Sequence, residues 1–565
     1  MCISEHYFPK PMKLICFYFV LFFKILLLPN FVTAQQVLSS GNQLAHHRGV
    51  YEVIFNALPT KQNPYYDISL KVTFTRPDGS LATVDGFYDG GTRYRARAYC
   101  DQTGKWKWQS KSNNSGLDNR QGTFEVLPSD FRGKLRIHSD DPYQFAYDNG
   151  EWFLHIGDTG YRYVVPTEPH WKDYIDQAAE MGATKIRTWF AMSRGEVNEL
   201  LMPNRHDLSL FVWKEIEHRL QYALEKYPQT IFQLMPHAED TEMIRRYGES
   251  DEVSRLIARY AQARWSSFPN IQWAMTNDRK IKADTVAAIS GREVYHRTIR
   301  QMGQDYHDRE PWGTLITNHQ ARFTGYDFAQ EPWSDIVTLE SLDEVAGKLI
   351  LEYREKIKQP AVLDEDRYEL YRPPAHPRYF FRRLMWASLF SGGHATYGGL
   401  KTYDPYLGSE FQGPDKEVIL SYQAQEGRDK GVTGYFDANR AGILFQGGHD
   451  FRHIHQFFRE SGLTLVSMQP DDSLVGGDAL QYKCIHNDDE YLVYLANPSG
   501  GTPKSDYPKE KIPTVTLRLP KYGFSVRWFD PDTGTWAYGS NVLGTEVTTL
   551  TAPAAGDWVL WLSRR

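Results

Sequence analysis

The stretch SDEVSRLIARYAQARWSSFPNIQWAMTND, residues 250–278, contains one helix followed by one strand. In its first part, apolar residues recur at spacings of three and four, which is typical of an amphipathic helix. Its last part, beginning at Ile271, is a short apolar run that predicts a buried strand. That strand ends on Asn277 and Asp278, two polar side chains that a buried strand does not need for packing. The stretch therefore predicts a helix–strand repeat with a chemical group at the strand's end.

The same unit recurs along residues 136–470. Eight candidate strands alternate with helical stretches there, although the connection between the fifth and sixth strands is too short for a full helix. An alternation of eight favours an α/β fold of the (β/α)8 barrel type over an open sheet, which usually has fewer strands. The predicted strands lie at 153–159, 183–190, 230–237, 271–278, 312–320, 335–341, 360–366 and 392–399.

Strand-like segments flank the predicted barrel on both sides. Residues 35–135 contain short alternating runs such as YEVIF and GTFEVL, separated by turn signals, and they predict an Ig-like β-sandwich. Residues 471–565 predict a second β-sandwich by the same pattern. Either sandwich could bind sugars through aromatic side chains or could brace the barrel, and the bracing role is favoured for both.

The first 34 residues resemble a signal peptide. Basic residues precede an apolar run from Leu14 to Leu28, and Val32-Thr33-Ala34 suits cleavage before Gln35. The alternative is an uncleaved membrane anchor, for which the run is short. We expect an exported protein that is periplasmic, on the cell surface or extracellular, with no stable membrane span after cleavage.

The composition limits the ligands of the chain. A net charge of -6 without a long basic run argues against nucleic acid, and an aromatic share of 14% suits carbohydrate, because flat rings stack on sugars. Large cores use the same aromatic residues. After cleavage of the signal peptide two cysteines remain, Cys100 and Cys484, which are too few for a disulfide framework or a cysteine-based zinc site.

Polar side chains stand at every predicted strand end. In a (β/α)8 barrel the loops after the strands gather at one face, where catalytic groups lie. A single polar strand end is usually only the first solvated position, but eight converging on one rim indicate a site. They are Asp158, Arg187, His237, Asn277 with Asp278, Asn318 with His319, Glu340, Asp364 with Glu365 and Asp366, and His394 with Tyr397.

Asp278 and Glu365 end the fourth and seventh strands, which places them on roughly opposite sides of the predicted mouth. Two facing carboxyl groups suit glycosidic bond hydrolysis, with retention at about 5–5.5 Å and inversion at about 6.5–9.5 Å. We expect Arg187 and Arg367 to keep Glu365 ionised, and apolar rings to keep Asp278 protonated. Strand alternation predicts that Asp364 and Asp366 point away from the face of Glu365 and are partners of backbone groups or arginines rather than nucleophiles.

Several motifs stand at the predicted strand ends and in the last domain. They are Gly157-Asp158-Thr159, Asn277-Asp278, Asp364-Glu365 with Tyr368-Glu369, Thr396-Tyr397-Gly398, Arg527 to Gly534 and Asp557 to Leu560. Together they resemble clan A of the glycoside hydrolases, and more closely its apiosidase-like members, family 140 and its relatives. The resemblance extends to both flanks, and it departs where Gly160-Tyr161 replaces the Ala-Trp that commonly follows the first motif.

This resemblance implies a retaining glycosidase acting on a plant or algal polysaccharide or its oligosaccharides, with Asp278 as acid/base and Glu365 as nucleophile. No metal or other cofactor is expected. Aromatic side chains at Trp189, Phe190, Trp333 and Tyr397 could stack on sugars or belong to the core. The residues expected to contact substrate are Asp158, Arg187, Trp189, His237, Asn277, His319, Glu340 and Tyr397.

Two other functions stay open. A metal-dependent hydrolase on the same barrel would use strand-end ligands such as His155, Asp158, His237, His319 and His394. A non-catalytic protein would grip a polysaccharide through Trp and Tyr alone. Both leave the two strand-end carboxylates without a function, so glycoside hydrolysis is the favoured hypothesis.

Overall fold

The structure is a computed structural model that describes residues 37–41, 43–160, 171–190, 201–341, 347–365, 378–398, 448, 450–476, 482–496 and 512–565. The predicted signal peptide at residues 1–34 lies outside these ranges, as do Tyr161, Asp366, Arg367, Tyr368 and Glu369. Among the described helices, none is both long and apolar enough to cross a membrane.

Two packed sheets form the amino-terminal part of the described chain. Their orders are β1-β3-β7-β6 and β2-β9-β8-β4-β5. Strand β4 buries Leu70, Val72 and Phe74 on one face, as its alternation predicts, so the first β-sandwich is confirmed. The strands are β1 (Leu38–Ser40), β2 (Leu44–His46), β3 (Val50–Asn56), β4 (Leu70–Thr75), β5 (Leu81–Asp85), β6 (Phe87–Gly90), β7 (Arg93–Tyr99), β8 (Gly104–Ser112) and β9 (Gln121–Leu127).

A small antiparallel sheet connects this sandwich to the barrel. It contains β10 (Leu135–His138), β11 (Asp141–Tyr147) and β12 (Trp152–Phe153). Its side chain Phe145 packs with Ile231 and Val362, which lie near the amino ends of two barrel strands. The small sheet therefore covers the end of the barrel opposite to the strand ends that carry the candidate site.

The central sheet has eight parallel strands and confirms the predicted (β/α)8 barrel. The strand order is β19-β16-β15-β14-β13-β22-β21-β20, and the Asp335 N–H donates to Ile316 O between the two end strands. Residues 318–336, all of them described, form turns and no helix, as the short connection predicted. The strands are β13 (Ile156–Thr159), β14 (Lys185–Trp189), β15 (Ile231–Met235), β16 (Ile271–Ala274), β19 (Ile316–Thr317), β20 (Val337–Glu340), β21 (Ala361–Glu365) and β22 (His394–Tyr397), with β17 (Lys280–Lys282) and β18 (Glu293–Tyr295) pairing in the loop after β16.

Amphipathic helices cover the outside of the barrel. Their apolar faces share a core with the outward side chains of the strands, such as Ile186 of β14. The side chain of Asp251 accepts from the Ser254 N–H and so starts the helix of residues 252–265, which the sequence predicts. The helices are α1 (Trp171–Met181), α2 (Leu210–Lys226), α3 (Thr241–Gly248), α4 (Glu252–Trp265), α5 (His296–Asp308), α6 (Lys348–Lys356), α7 (Arg378–Phe390) and α8 (Phe451–Ser461).

The carboxyl-terminal residues form two further sheets, which confirm the second strand-rich domain. A six-stranded sheet has the order β23-β25-β26-β31-β28-β29, and a three-stranded sheet the order β24-β27-β30. They share a core that contains Cys484, whereas Cys100 lies in the core of the first sandwich. The strands are β23 (Gln469–Pro470), β24 (Val475–Gly476), β25 (Tyr482–His486), β26 (Glu490–Leu495), β27 (Thr514–Leu517), β28 (Gly523–Asp530), β29 (Thr535–Leu543), β30 (Thr548–Thr551) and β31 (Trp558–Arg564), and a 3-10 turn spans Asp472–Leu474.

Candidate active site

The Asn277-Asp278 dipeptide follows β16 in an unusual backbone conformation. Asp278 has a φ of 50°, in the left-handed region that non-glycine residues seldom adopt. The guanidinium of Arg279 stabilises this turn, because its Nε donates to the carbonyl oxygens of both Asn277 (2.9 Å) and Asp278 (3.0 Å). Backbone strain of this kind is found at functional sites, where the surrounding structure maintains it.

The side chain of Asn277 is held at both ends. Its Oδ1 accepts from Arg187 Nη2 at 2.9 Å, and its Nδ2 donates to Glu239 Oε1 at 3.1 Å. The same Arg187 guanidinium reaches Glu365 Oε2 through Nη1 at 3.3 Å and Asp364 O at 2.6 Å. One fully buried arginine from the second barrel strand therefore joins the ends of the fourth and seventh.

His319 lies between the two predicted catalytic residues. Its Nδ1 accepts from the Asp278 N–H at 3.3 Å, and its Nε2 is 4.0 Å from Glu365 Oε2. Burial and the charge of Arg187 lower the pKa of His319 to about 3, so the ring is neutral. Because Nδ1 accepts a hydrogen bond, the ring proton is on Nε2 and faces Glu365. A single imidazole ring thus separates the Asp278 backbone from the Glu365 carboxylate.

Asp278 has a cationic neighbour. Its Oδ2 is paired with Arg292, which belongs to the loop that carries β17 and β18. The expectation that apolar rings keep Asp278 protonated did not include this cation, which favours the ionised form; the loop folds back over the strand end and brings the guanidinium to it. The Arg292 side chain is 45% exposed, so the pair lies at the solvent edge of the mouth.

Glu340, at the end of β20, is a third carboxyl group at the mouth of the barrel, close to Glu365 and His319. Its Oε1 accepts from Arg322 Nε at 3.0 Å, and Arg322 Nη2 also lies 3.7 Å from Glu365 Oε1. Burial, together with the charges of Glu365 and Asp278, raises the pKa of Glu340 to about 9. This shift favours the neutral form of Glu340, which the sequence did not predict.

A buried ion-pair network lies directly beneath this cluster. Asp364 Oδ1 accepts from Lys185 Nζ and from Thr396 Oγ1, both at 2.5 Å, and Asp364 Oδ2 is 3.3 Å from Arg187 Nε. Burial alone would raise the pKa of Asp364, but the charges of Lys185 and Arg187 keep it below its usual range. Asp364 therefore points into the barrel, against the alternation argument, and serves as a partner of the arginine that contacts Glu365.

Four predicted substrate residues do not join this cluster through their observed contacts. Asp158 Oδ2 accepts from Tyr174 on α1 at 2.5 Å, which directs it toward the helices. The ring of Tyr397 lies between Phe381 of α7 and Phe451 of α8. The Nε2 of His237 lies 3.0 Å from Ser254 O of α4. Trp189 is 5% exposed at the end of β14, and Phe190 and Trp333 are fully buried.

The five residues of the metal-site hypothesis are dispersed. His155 and His394 are neighbours at the covered end of the barrel, where both contact the Phe145 ring. Asp158 and His237 contact helices instead. Among the described residues, the groups spaced to hold an ion are His319, Glu340 and Glu365. The arginines Arg187 and Arg322 already contact these carboxylates, so the charge that a cation would supply is present.

Sequence reasoning missed the residues that support the predicted catalytic pair. Glu239, Arg279 and Arg292 lie in the loops after β15 and β16, and Arg322 lies in the loop after β19. A guanidinium directly after the Asn-Asp dipeptide was the one available signal, for Arg279. The other residues could not be identified from the sequence, because they reach the site only when loops from different strands fold together.

Comparison with known proteins agrees with this architecture. The apiosidase-like catalytic domain family matches residues 139–462, more than half of the chain, and a domain of unknown function, DUF5060, matches residues 46–113. No curated protein matches the sequence.

Solved structures share the fold. A proposed glycoside hydrolase from Bacteroides vulgatus has a TM-score of 0.66 at 18% identity, over 93% of this chain and 100% of that one. A family 5 glycoside hydrolase from the same organism has a TM-score of 0.56 at 14% identity, over 77% of this chain and 94% of that one. With its barrel, its strand-end carboxylates and this match over residues 139–462, the chain belongs to the apiosidase-like family of glycoside hydrolases.

Proposed function

We propose that this protein is an exported enzyme that cleaves glycosidic bonds in a plant or algal polysaccharide or its oligosaccharides by a retaining double displacement. Glu365 attacks the anomeric carbon and forms a covalent glycosyl intermediate. Asp278 protonates the leaving oxygen and then takes a proton from the water that releases the sugar. These roles rest on the family resemblance and on the placement of both residues at one mouth.

The observation that carries this proposal is the guanidinium of Arg187, which contacts both Asn277 Oδ1 and Glu365 Oε2. It links the end of the fourth strand to the end of the seventh, which supports a common site for Asp278 and Glu365. A positive charge next to Glu365 also stabilises its ionised form, which a nucleophile requires.

The pairing of Asp278 with Arg292 bears on the acid step. An ion-paired carboxylate has no proton to donate, so the substrate must separate the pair. Because Arg292 is nearly half exposed, its guanidinium can move into solvent when a sugar enters the mouth. Arg292 would then contact the leaving part of the substrate, and its removal would affect binding more than the chemical step.

The name of the family suggests the first substrates to test. Apiose-containing pectic polysaccharides belong in a panel with other plant and algal polysaccharides and their oligosaccharides. The purified protein should release sugar from at least one of them, and NMR of the fresh product should show the anomeric configuration of the substrate. Inverted product would refute the retaining mechanism, and the absence of any product would refute the proposed function.

A chelator separates this mechanism from the metal-dependent alternative. Because Arg187 and Arg322 supply the positive charge at the carboxylates, activity should survive prolonged incubation with EDTA.

Export is tested separately in the source cells, where Gln35 should be the first residue of the mature protein if the leader is cleaved as predicted.

A further inference from the structure

Glu340 is placed to touch a bound sugar, although the proposed mechanism does not use it. The strand register sets Glu340 opposite Glu365, and a carboxyl oxygen of each lies within 4.8 Å of the other and of a His319 ring nitrogen. Oε1 of Glu340 accepts from Arg322, while Oε2 is buried with no hydrogen-bond partner among the described residues. Such an atom at a mouth is suited to a ligand.

The charged groups around Glu340 decide where the proton resides. Glu365 on β21 and Asp278 after β16 oppose its ionisation, whereas Arg322 after β19 and Arg187 on β14 favour it, and His319 on the same rim is neutral. Glu340 has the most buried side chain of the three carboxyl groups, at 6% exposure against 13% for Glu365 and 15% for Asp278. Two carboxyl groups this close do not both ionise readily, so the more buried one keeps the proton.

The position of Glu340 also determines which part of the substrate it meets. Strands β20 and β21 are neighbours, and their register pairs Glu340 with Glu365, so Glu340 is on the side of the nucleophile and its side chain is the more buried of the two. The leaving group must lie near Asp278 instead. Glu340 therefore faces the sugar unit whose anomeric carbon is attacked.

We propose that Glu340 is a neutral hydrogen-bond donor that binds a hydroxyl oxygen of the attacked sugar through its protonated Oε2. This inference rests on the proposed function. It makes Glu340 a specificity-determining residue, because a buried donor discriminates strongly against sugars that lack the matching oxygen. The three carboxyl groups then have separate roles, with Glu365 as the nucleophile, Asp278 as the acid/base and Glu340 as the group that recognises the sugar.

The substitution Glu340→Gln tests this directly, because an amide keeps an oxygen for Arg322 and places an N–H donor where the O–H was. We expect Glu340→Leu to lose about 10- to 100-fold in kcat/KM at neutral pH, and Glu340→Gln, which keeps a donor, to recover most of that loss. The exposed Glu352→Gln on α6 is the matched control and should behave as wild type. A loss of about 10³-fold in Glu340→Gln would overturn the proposal, because it would show that the Glu340 proton is transferred in the reaction.

A stability measurement gives a readout that needs no substrate. The pKa of Glu340 is raised on folding, so its stabilising contribution is complete below the unfolded pKa and is lost as the pH rises through the folded pKa. Glu340→Gln removes this loss. The melting temperature of the variant minus that of wild type should therefore increase between about pH 5 and pH 9, while Glu352→Gln shows no such trend.

A difference that stays constant over this range would show that Glu340 is not neutral, and would overturn the proposal. The two proposals fail separately. If no glycoside is hydrolysed, the proposed function fails, whereas the melting-temperature series still decides the protonation of Glu340. If glycosides are hydrolysed but Glu340→Leu is as active as wild type, Glu340 does not bind the sugar.

Discussion

Identical chemical groups take different roles in this protein because their neighbours differ. Asp364 is buried, and the charges of Lys185 and Arg187 keep its pKa below the usual range, whereas burial and the charges of Glu365 and Asp278 raise the pKa of Glu340. Asp158, also fully buried, has its pKa raised to about 7 by burial and accepts from Tyr174. A residue that belongs to a family motif can therefore have a structural role, and its contacts distinguish a structural role from a catalytic one.

The residue-scale prediction concerns Asp158. Tyr174→Phe removes the hydroxyl that donates to Asp158 Oδ2 and should lower the free energy of unfolding by about 1–3 kcal/mol, measured by urea unfolding. Because the pair lies on the helix side of the sheet, kcat/KM should be unchanged. The control Tyr222→Phe removes a more exposed bond to Asp176 and should cost less. A tenfold loss of kcat/KM in Tyr174→Phe would instead support the prediction that Asp158 acts at the substrate.

At the scale of elements, three barrel strands end in the same kind of backbone turn. Non-glycine residues in the left-handed region follow three consecutive barrel strands, at Ala238, Asp278 and Phe323, with φ between 45° and 65°. Each turns the chain sharply at the mouth, and the Asn277 N–H donates to Ala238 O across two of these turns. The strained turns bring side chains from separate loops into one cluster.

The eight barrel strands and the polar residues at their carboxyl ends could be predicted from the sequence. Buried parallel strands are short apolar runs, and the loops that follow them gather at one face of a (β/α)8 barrel. The inward or outward direction of each strand-end side chain could not be predicted. Asp158 and Tyr397 point to helices, and Asp364 points inward, because register and a bulge near Glu340 set these directions. The role of Arg292 depends on a loop that folds back, which no local pattern indicates.

The element-scale prediction concerns closure of the barrel at Gly157. A Cβ there would lie 2.2 Å from Thr396 Oγ1 and 3.0 Å from Thr396 Cα on the paired strand β22. Gly157→Ala should therefore push the first and eighth strands apart and cost about 1–3 kcal/mol in urea unfolding. Activity should fall as well, because Thr396 donates to Asp364 beneath the site.

Gly523→Ala is the matched control for this strand substitution, since the nearest atom to its added Cβ is 4.0 Å away. It should unfold like wild type. Equal stability of Gly157→Ala and Gly523→Ala would mean that the two barrel strands tolerate separation, and it would contradict the expected clash with Thr396.

At the scale of the whole molecule, buried ion pairs join the flanking domains to the barrel. Arg97 of the first sandwich contacts Glu52 in its own domain and Glu217 of α2, while Arg382 of α7 contacts Asp557 of the second sandwich. The side chain of Lys134 donates to two carbonyl oxygens and Thr314 beside the barrel. These contacts agree with the bracing role that sequence reasoning favoured for the sandwiches.

The prediction at this scale is that Arg97→Met destabilises the whole protein. The substitution leaves the buried carboxylates of Glu52 and Glu217 without this cation, and loss of one partner of a buried pair costs about 3–5 kcal/mol. Urea unfolding should show the loss, whereas Arg93→Met, exposed on the same strand, should have little effect. A loss no larger than that of Arg93→Met would mean that the network does not hold the domains together.

The central claim is that Asp278 and Glu365 act together on one glycosidic bond, and azide rescue tests it most directly. Asp278→Ala and Glu365→Ala should each lower kcat by at least about 10²–10⁴-fold on an active substrate. On an aryl glycoside whose leaving group departs without protonation, azide should restore turnover in both variants. It attacks the glycosyl–Glu365 intermediate in the Asp278 variant and the anomeric carbon of the substrate itself in the Glu365 variant. We expect a glycosyl azide of retained configuration from the Asp278 variant and of inverted configuration from the Glu365 variant. Near-normal activity of either variant without azide, or the same configuration from both, would contradict the claim.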